Sequence, residues 1–574
     1  MRARVLLIVG GVVLFAGGVG ADPKPGARGA PLPAEVAERL LLLNNPDTYA
    51  RALRIEGLLD RSPGATMAAA SRQWKYSRSS PSGTPWRWPG LLADNPIATT
   101  DLTELRPSTV ALARRPKSLV TAYTAFPFSS APSTRCLVTR SHNWGSTWSE
   151  PAALSGLTPL SLCDNPFLVE SSDGRWLYVA YQDIKSGRVD LEAPAGSTSY
   201  LIYTDTDIVV RRSRNGGRTW EAPVVALDGD PWSMTFTCSP DCALTDSDPG
   251  FGYGRPALAS RSTWHRHGQL YVTSTRSAFL DPDAPPTAIA VSRSSGCRGK
   301  WRPPELLDTG DSGSPPTVVQ GPQVASGRRG EVLVAWFHSG VDGSFNGEFE
   351  IRTRRSSDYG RTWAGTVTAA IDGEEASRNL GTLGLYKRWW TTMFPRLVVD
   401  RGGRAHIAYA HDPEPAVDSA EEGDIRYITS GAPPYEEWSF PETVNDDWLE
   451  RAQGFPSIVV RHLGRSSIVD VIWEDTRLSP EVPVPDPPSS SNLYFDIFHA
   501  RKIPGWGMAW SPNRRVSDVS SLQNTITTGE RTSLAANFAL LYATWADRRD
   551  KTTVSDEETD IYGSRLSPWG WSRR

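Results

Sequence analysis

The eight residues SRNGGRTW, Ser213 to Trp220, recur with small changes as SHNWGSTW (Ser141 to Trp148) and SSDYGRTW (Ser356 to Trp363). All three fit S-x-(D/N)-x-G-x-T-W. The Asp or Asn can accept backbone N–H groups just ahead of it, and the Gly tolerates a left-handed conformation. The pattern predicts a tight turn with a Trp packed back at its end. On this reading Ser141, Asn143, Gly145 and Trp148 are structural, as are Ser213, Asn215, Gly217 and Trp220, and Ser356, Asp358, Gly360 and Trp363.

Each octapeptide sits inside a longer unit. The unit opens with a short apolar run, usually after Pro: RPSTVAL (Pro107), NPFLVE (Pro166), RPALAS (Pro256), GPQVAS (Pro322), FPRLVV (Pro395) and FPSIVV (Pro456), with RTSLAA at Ser533 lacking the Pro. A mostly Gly-bearing turn follows, then a second run rich in Val, Tyr and Trp, such as LYVAYQD, VLVAWF or VIWEDTR. Two such runs around a turn read as a hairpin. A third run often opens with an acid and Ile (Asp207, Glu350, Asp424, Asp496, Asp560); the octapeptide turn comes next, and a fourth run follows each Trp. Four-stranded units repeating every roughly 70 residues predict an all-β protein, a β-propeller of four-stranded antiparallel blades. Seven blades are counted, with six as the alternative. NPIATTD (Asn95 to Asp101) has no unit of its own and the last unit has three strands, so this segment is expected to complete the final blade and close the ring.

The chain of 574 residues carries 61 Lys+Arg against 64 Asp+Glu, net −3, and no dense basic run, which argues against nucleic acid as a partner. Arg2 and Arg4, an apolar stretch from Val5 to Val19 and a small-residue exit describe a secretory leader over residues 1–21. No later segment is apolar enough to span a membrane. Residues 22–90 read as a preface of short helices (from Pro33 and Arg51) and turn-rich linker, and 91–574 as the propeller. Export permits disulfides: Cys238 and Cys242 bracket a small loop, and Cys136 and Cys163 could join neighbouring elements, leaving Cys297 odd. No metal or cofactor is implied, and a monomer is expected.

The octapeptides resemble the Asp-boxes, or BNR repeats, of the sialidase superfamily of propellers. The resemblance implies boxes on the rim away from the ligand. It also implies, for a true sialidase, Arg residues for the substrate carboxylate, a Tyr–Glu nucleophile pair and an Asp acid. The nearest matches to the family's first Arg are Arg255 in YGRPAL and Arg106 in LRPSTV. Both touch Pro directly where the family has one residue between, and strand alternation predicts that this offset turns Arg to the wrong side.

Asp183, Asp412, Asp475 and Asp547 each close a second run; present in four units, they read as repeat features, with Arg477 and Arg548 as local partners. TGDSGSPP around Ser312 and WHRHG (His265, His267) read as ordinary surface turns. Function is expected instead in three irregular insertions: Asp230 to Tyr253, Ile371 to Thr392 and Trp473 to Asn492. The middle one offers Glu374, Tyr386 and Arg388 beside Arg255 as catalytic candidates, and Glu375, Arg378, Trp389 and Trp390 for ligand binding, since rings stack on sugar faces while acids and Arg bond hydroxyls or carboxylates. The expectation is an exported binding or scaffold propeller for a glycan or an extracytoplasmic protein. A sialidase-like glycoside hydrolase and a periplasmic assembly factor are the alternatives.

Overall fold

The computed structural model describes most of residues 94–566, the longest omissions being 375–393, 412–423, 480–493, 523–531 and 550–558, together with two paired strands, Val5–Val9 and Val12–Ala16. The preface helices lie outside the described residues. Every regular element described is a β-strand, and no helix among the described residues is long and apolar enough to cross a membrane.

Seven antiparallel sheets of four or more strands follow one another along the chain. Their first strands are Thr103–Ala111, Leu162–Glu170, Gly250–Thr263, Val319–Ser326, Arg396–Val399, Gln453–Leu463 and Ser533–Ala536. In the first six the second, third and fourth strands follow outward in chain order; in the seventh the outer strand comes from Asn95–Ala98. A blade lies between two neighbours, so both faces of its middle strands are covered. The second strand of blade four, VLVAWFH, is accordingly buried at every position. Apolar clusters fill the seams; between blades five and six, Ala408, Tyr427, Val469, Val471 and Trp473 meet.

The expected closure forms. Asn95–Ala98 pairs with Asp560–Leu566, Asn95 opposite Gly563 and Ala98 opposite Ile561, and supplies the outer strand of blade seven. Across that seam the Thr109 N–H donates to Ser533 Oγ at 2.9 Å, and Thr559 Oγ1 donates to the Glu104 carbonyl at 2.6 Å.

The octapeptides are the third-to-fourth-strand turns of blades one, two and four. Ser213 Oγ donates to Asn215 Oδ1 at 2.9 Å and accepts the Gly217 N–H at 2.9 Å, while Asn215 Oδ1 accepts the Thr219 N–H at 3.0 Å. The other two copies repeat this lattice. Slight desolvation would raise Asp358, but donors from Thr362, Ser356 and Arg361 outweigh it and hold the carboxyl down at about 2. Gly145 has φ +84°, and a Cβ there would fall 2.2 Å from the Tyr542 ring of blade seven.

Two expectations change. Asp230 to Tyr253 is no irregular insertion: Trp232–Cys238 and Cys242–Asp248 form a hairpin that extends the sheet of blade two along its long third strand, Thr198–Ser213. The alternation in WSMTFTC suits a strand with one packed face, Trp232 and Met234 being buried. The partner of Asp547 is Arg549, not Arg548: Arg549 Nη2 reaches Asp547 at 2.7 Å, matching Arg477 Nη2 on Asp475 at 2.7 Å.

A disulfide joins Cys136, on the third strand of blade one, to Cys163, on the first strand of blade two. Cys238 is also disulfide-bonded and pairs in register with Cys242. Cys297 lies outside the described residues.

Candidate functional site at the channel mouth

The first strands are innermost and enter from the face opposite the octapeptide turns. In five blades the residue at the X of X-Pro is left-handed: Arg106 (φ 57°), Asn165 (52°), Arg255 (55°), Gly321 (60°) and Phe455 (51°). At each, the register with the second strand slips, as between Gly254 and Ala257. Each is a β-bulge, which adds a residue and re-aims a side chain. The alternation argument against Arg106 and Arg255 therefore fails, because the bulge breaks the period of two on which it rests. A left-handed conformation costs a non-Gly residue roughly 1–2 kcal/mol, and four of the five positions bear that cost.

The ring so formed is asymmetric. Between blades one and two Arg106 Nη1 donates to both oxygens of Asp164 at 2.6 and 2.5 Å. Thr124 donates to Asp164, Asn165 Nδ2 to Gln182 Oε1, and Gln182 Nε2 to the Tyr253 carbonyl. This chain of buried bonds carries polar contact from blade one to blade three and neutralises Arg106.

From blade three to blade five the character changes. The Arg255 guanidinium lies 5.1 Å from the centroid of the Phe394 ring. Phe394 packs on Gly321, where a Cβ would fall 2.2 Å from the ring. Two residues on, Arg396 is pushed down to about 10 by burial and then by the Arg255 charge, and so stays cationic at neutral pH. The Arg255 guanidinium and the Phe394 ring thus meet from two blades across the one whose bulge residue has no side chain, with the Arg396 charge near enough to feel Arg255.

Blade six contributes Glu474, which sequence reasoning passed over. It stands where Thr124, Gln182 and Thr275 stand in blades one to three, and those side chains bond the next blade's backbone. Glu474 is buried and neither carboxylate oxygen has a hydrogen-bond partner. Burial, then the neighbouring Asp547, pushes it up to about 8. The signal available was the Glu in VIWEDTR, where the other units have Thr, Gln, Phe or Ala.

A Tyr–Glu juxtaposition lies in blade one: wholly buried Tyr123 feels wholly buried Glu104. Burial and the Glu104 charge push the phenol upward, the reverse of what a phenolate nucleophile needs.

Of the candidates read from the sequence, Arg255 lies at the bulge in the first strand of blade three, against Phe394. Glu374 ends the fourth strand of blade four, opposite Glu348. Glu375, Arg378, Tyr386, Arg388, Trp389 and Trp390 lie outside the described residues, in the segment that re-enters at Phe394. Asp183, Asp475 and Asp547 are taken up locally, by Leu157 N–H and Ser161, by Trp473 and Arg477, and by Trp545 and Arg549; Asp412 lies outside.

No protein-family model matches the chain, and no curated protein sequence does. Solved structures do, at low identity. The α-L-arabinanase of Penicillium chrysogenum matches at 14% identity, over 67% of this chain and 94% of its own, TM-score 0.39. The α-L-arabinofuranosidase of Fusarium graminearum matches at 13%, over 83% and 98%, TM-score 0.39. A Hadza microbial sialidase matches at 12%, over 79% and 77%, TM-score 0.38.

Proposed function

We propose that this is an exported glycan-binding propeller that takes a carboxylate-bearing sugar at the mouth of its channel. The observation that supports it is the convergence of Arg255, Arg396 and Phe394. Guanidinium groups grip a carboxylate through paired charge-assisted hydrogen bonds, and a phenyl ring offers an apolar face to a pyranose. The Cys136–Cys163 disulfide fits an oxidising compartment. Calorimetry of the purified protein with sialylated and uronate-containing oligosaccharides, against their neutral counterparts, tests the reading. Acidic ligands should bind, Arg255→Ala or Arg396→Ala should weaken binding by at least about tenfold, and a fluorogenic sialoside should be released little or not at all. Changing Arg388 and Trp389 together to Ala should also weaken binding. Equal affinity for neutral and acidic sugars, or indifference to Arg255→Ala, defeats the proposal.

A second reading, a glycoside hydrolase, is favoured by Glu474. A carboxyl kept neutral near pH 7 is what a general acid requires. Robust turnover of a glycoside, lost in Glu474→Gln with binding retained, would put this reading in the place of the first.

A further inference from the structure

Asp94 immediately precedes the ring-closing strand Asn95–Ala98, and its side chain is fully buried. Its N–H donates to Asp518 Oδ2 at 3.3 Å, and the Asp518 N–H donates back to Asp94 Oδ2 at 2.8 Å. Arg549 spans the pair, with Nη1 on Asp518 at 2.6 Å and Nη2 on Asp94 at 2.8 Å and on Asp547 at 2.7 Å. This clasp ties residues 424 and 455 positions apart.

Blade six holds a like clasp, with Asn513 in place of Asp94 and with one added carboxylate, Asp447, 3.0 Å from Arg477. The Asp446 N–H donates to Asn513 Oδ1 and the Asn513 N–H to Asp446 Oδ2, both at 2.8 Å. Arg477 spans them and reaches Asp475, as Arg549 reaches Asp547. Asn513 precedes Arg514–Arg515, the fourth strand of its blade, as Asp94 precedes that of blade seven. Position by position, Asp518 stands for Asp446, Arg549 for Arg477, and Asp94 for Asn513.

The substitution removes a donor. Asn513 uses its amide N–H to bond the Val444 carbonyl at 3.0 Å. Asp94 Oδ1, the atom left over after Oδ2 has taken the Asp518 N–H and Arg549, is buried with no hydrogen-bond partner. An ionised carboxylate has no donor to offer there; a protonated one has one. We infer that Asp94 carries a proton on Oδ1 in the closed ring, standing in for the amide of Asn513, and that loss of this proton loosens the closing strand.

The surroundings agree. Burial, then the Asp518 carboxyl beside it, raises Asp94 to about 8, despite the Arg549 charge. Asp518, although partly desolvated, is held below the ordinary carboxylate range by Asp94 and Arg549, so one carboxyl keeps the proton and the other the charge. The groups facing Asp94 are Asp518 and Arg549, with Asp547 behind Arg549 and the Tyr542 phenol on blade seven. Ionising Asp94 puts a third carboxylate around one guanidinium. Because the folded value lies above the ordinary 3.8, the stability that the neutral form contributes is complete below about pH 4 and is lost as pH rises through about 8.

The test is denaturant unfolding of the full chain and of Asp94→Asn across about pH 4 to 9. Between about pH 5 and 8 the wild-type unfolding constant should rise about tenfold per pH unit more steeply than that of Asp94→Asn, whose amide recreates the blade six clasp, and above about pH 8 the two slopes should converge. Glu474 adds a slope of the same sign to both proteins, so the difference isolates Asp94. Hydrogen exchange, corrected for the intrinsic rate, should show residues 95–98 losing protection over the same interval, while the matching strand after Asn513 in blade six, Arg514–Arg515, does not. Equal pH slopes in the two proteins overturn the inference. If Asp94→Asn does not fold, exchange on the wild type decides alone, and pH-independent protection of 95–98 overturns it.

Discussion

Single residues show how far one position can depart from its repeat. Thr124 and Thr275 accept a backbone N–H from the next blade, while Glu474, in the same layer, accepts none. Its folded value of about 8, above the ordinary 4.5, means the neutral carboxyl is the form the fold prefers; that contribution is full below about pH 4.5 and lost as pH rises toward 8. Glu474→Gln, isosteric and unable to ionise, should melt higher than wild type at about pH 9 and match it near pH 4. A melting curve indifferent to pH would remove Glu474 from the list of buried acids. The Ser and Asn or Asp side chains of the octapeptides behave oppositely, as satisfied local bonds. Asn215→Ala should cost about 1 kcal/mol and Trp220→Ala about 3–5, read as lowered melting temperatures with sugar affinity per folded molecule unchanged.

At the scale of the element, the bulge at X-Pro decides what the mouth contains. Arg255→Ala and Arg255→Gly remove the same guanidinium, and only the Gly tolerates φ near 55° without strain. Both should lose acidic-sugar binding, while Arg255→Gly should be the more stable by about 1 kcal/mol. Equal stabilities would mean the bulge relaxes when the side chain is gone. Most strand positions, and the turns between them, were legible because a run such as VLVAWFH has no other favourable fate. The bulges were not legible: Pro restricts its predecessor, but only pairing with the second strand shows that a residue has been inserted.

For the whole molecule, closure of the ring couples the ends of the propeller. Asn95–Ala98 brings apolar Ile97 and Ala98 into the seam with Leu105, Tyr123 and Tyr542. Removing residues 91–102 should lower stability throughout the propeller and expose an unpaired edge on Asp560–Leu566. A shortened chain that unfolds at the wild-type denaturant concentration would show that closure contributes nothing.

The sequence by itself determined the blade count, the strand order within each blade, the closing segment and the turn chemistry of the octapeptides. These follow from local rules: alternation, turn residues and a repeat that cannot bury its apolar faces alone. It also pointed to Arg255, for a reason its own alternation argument then withdrew. Only the tertiary structure decided that Arg255 meets Phe394 within reach of the Arg396 charge, that Glu474 is left without a partner, and that Asp94 occupies the place of Asn513. Each of these pairs residues from different blades or compares blades position by position. Such juxtapositions depend on the ring and its bulges, which no spacing along one strand encodes.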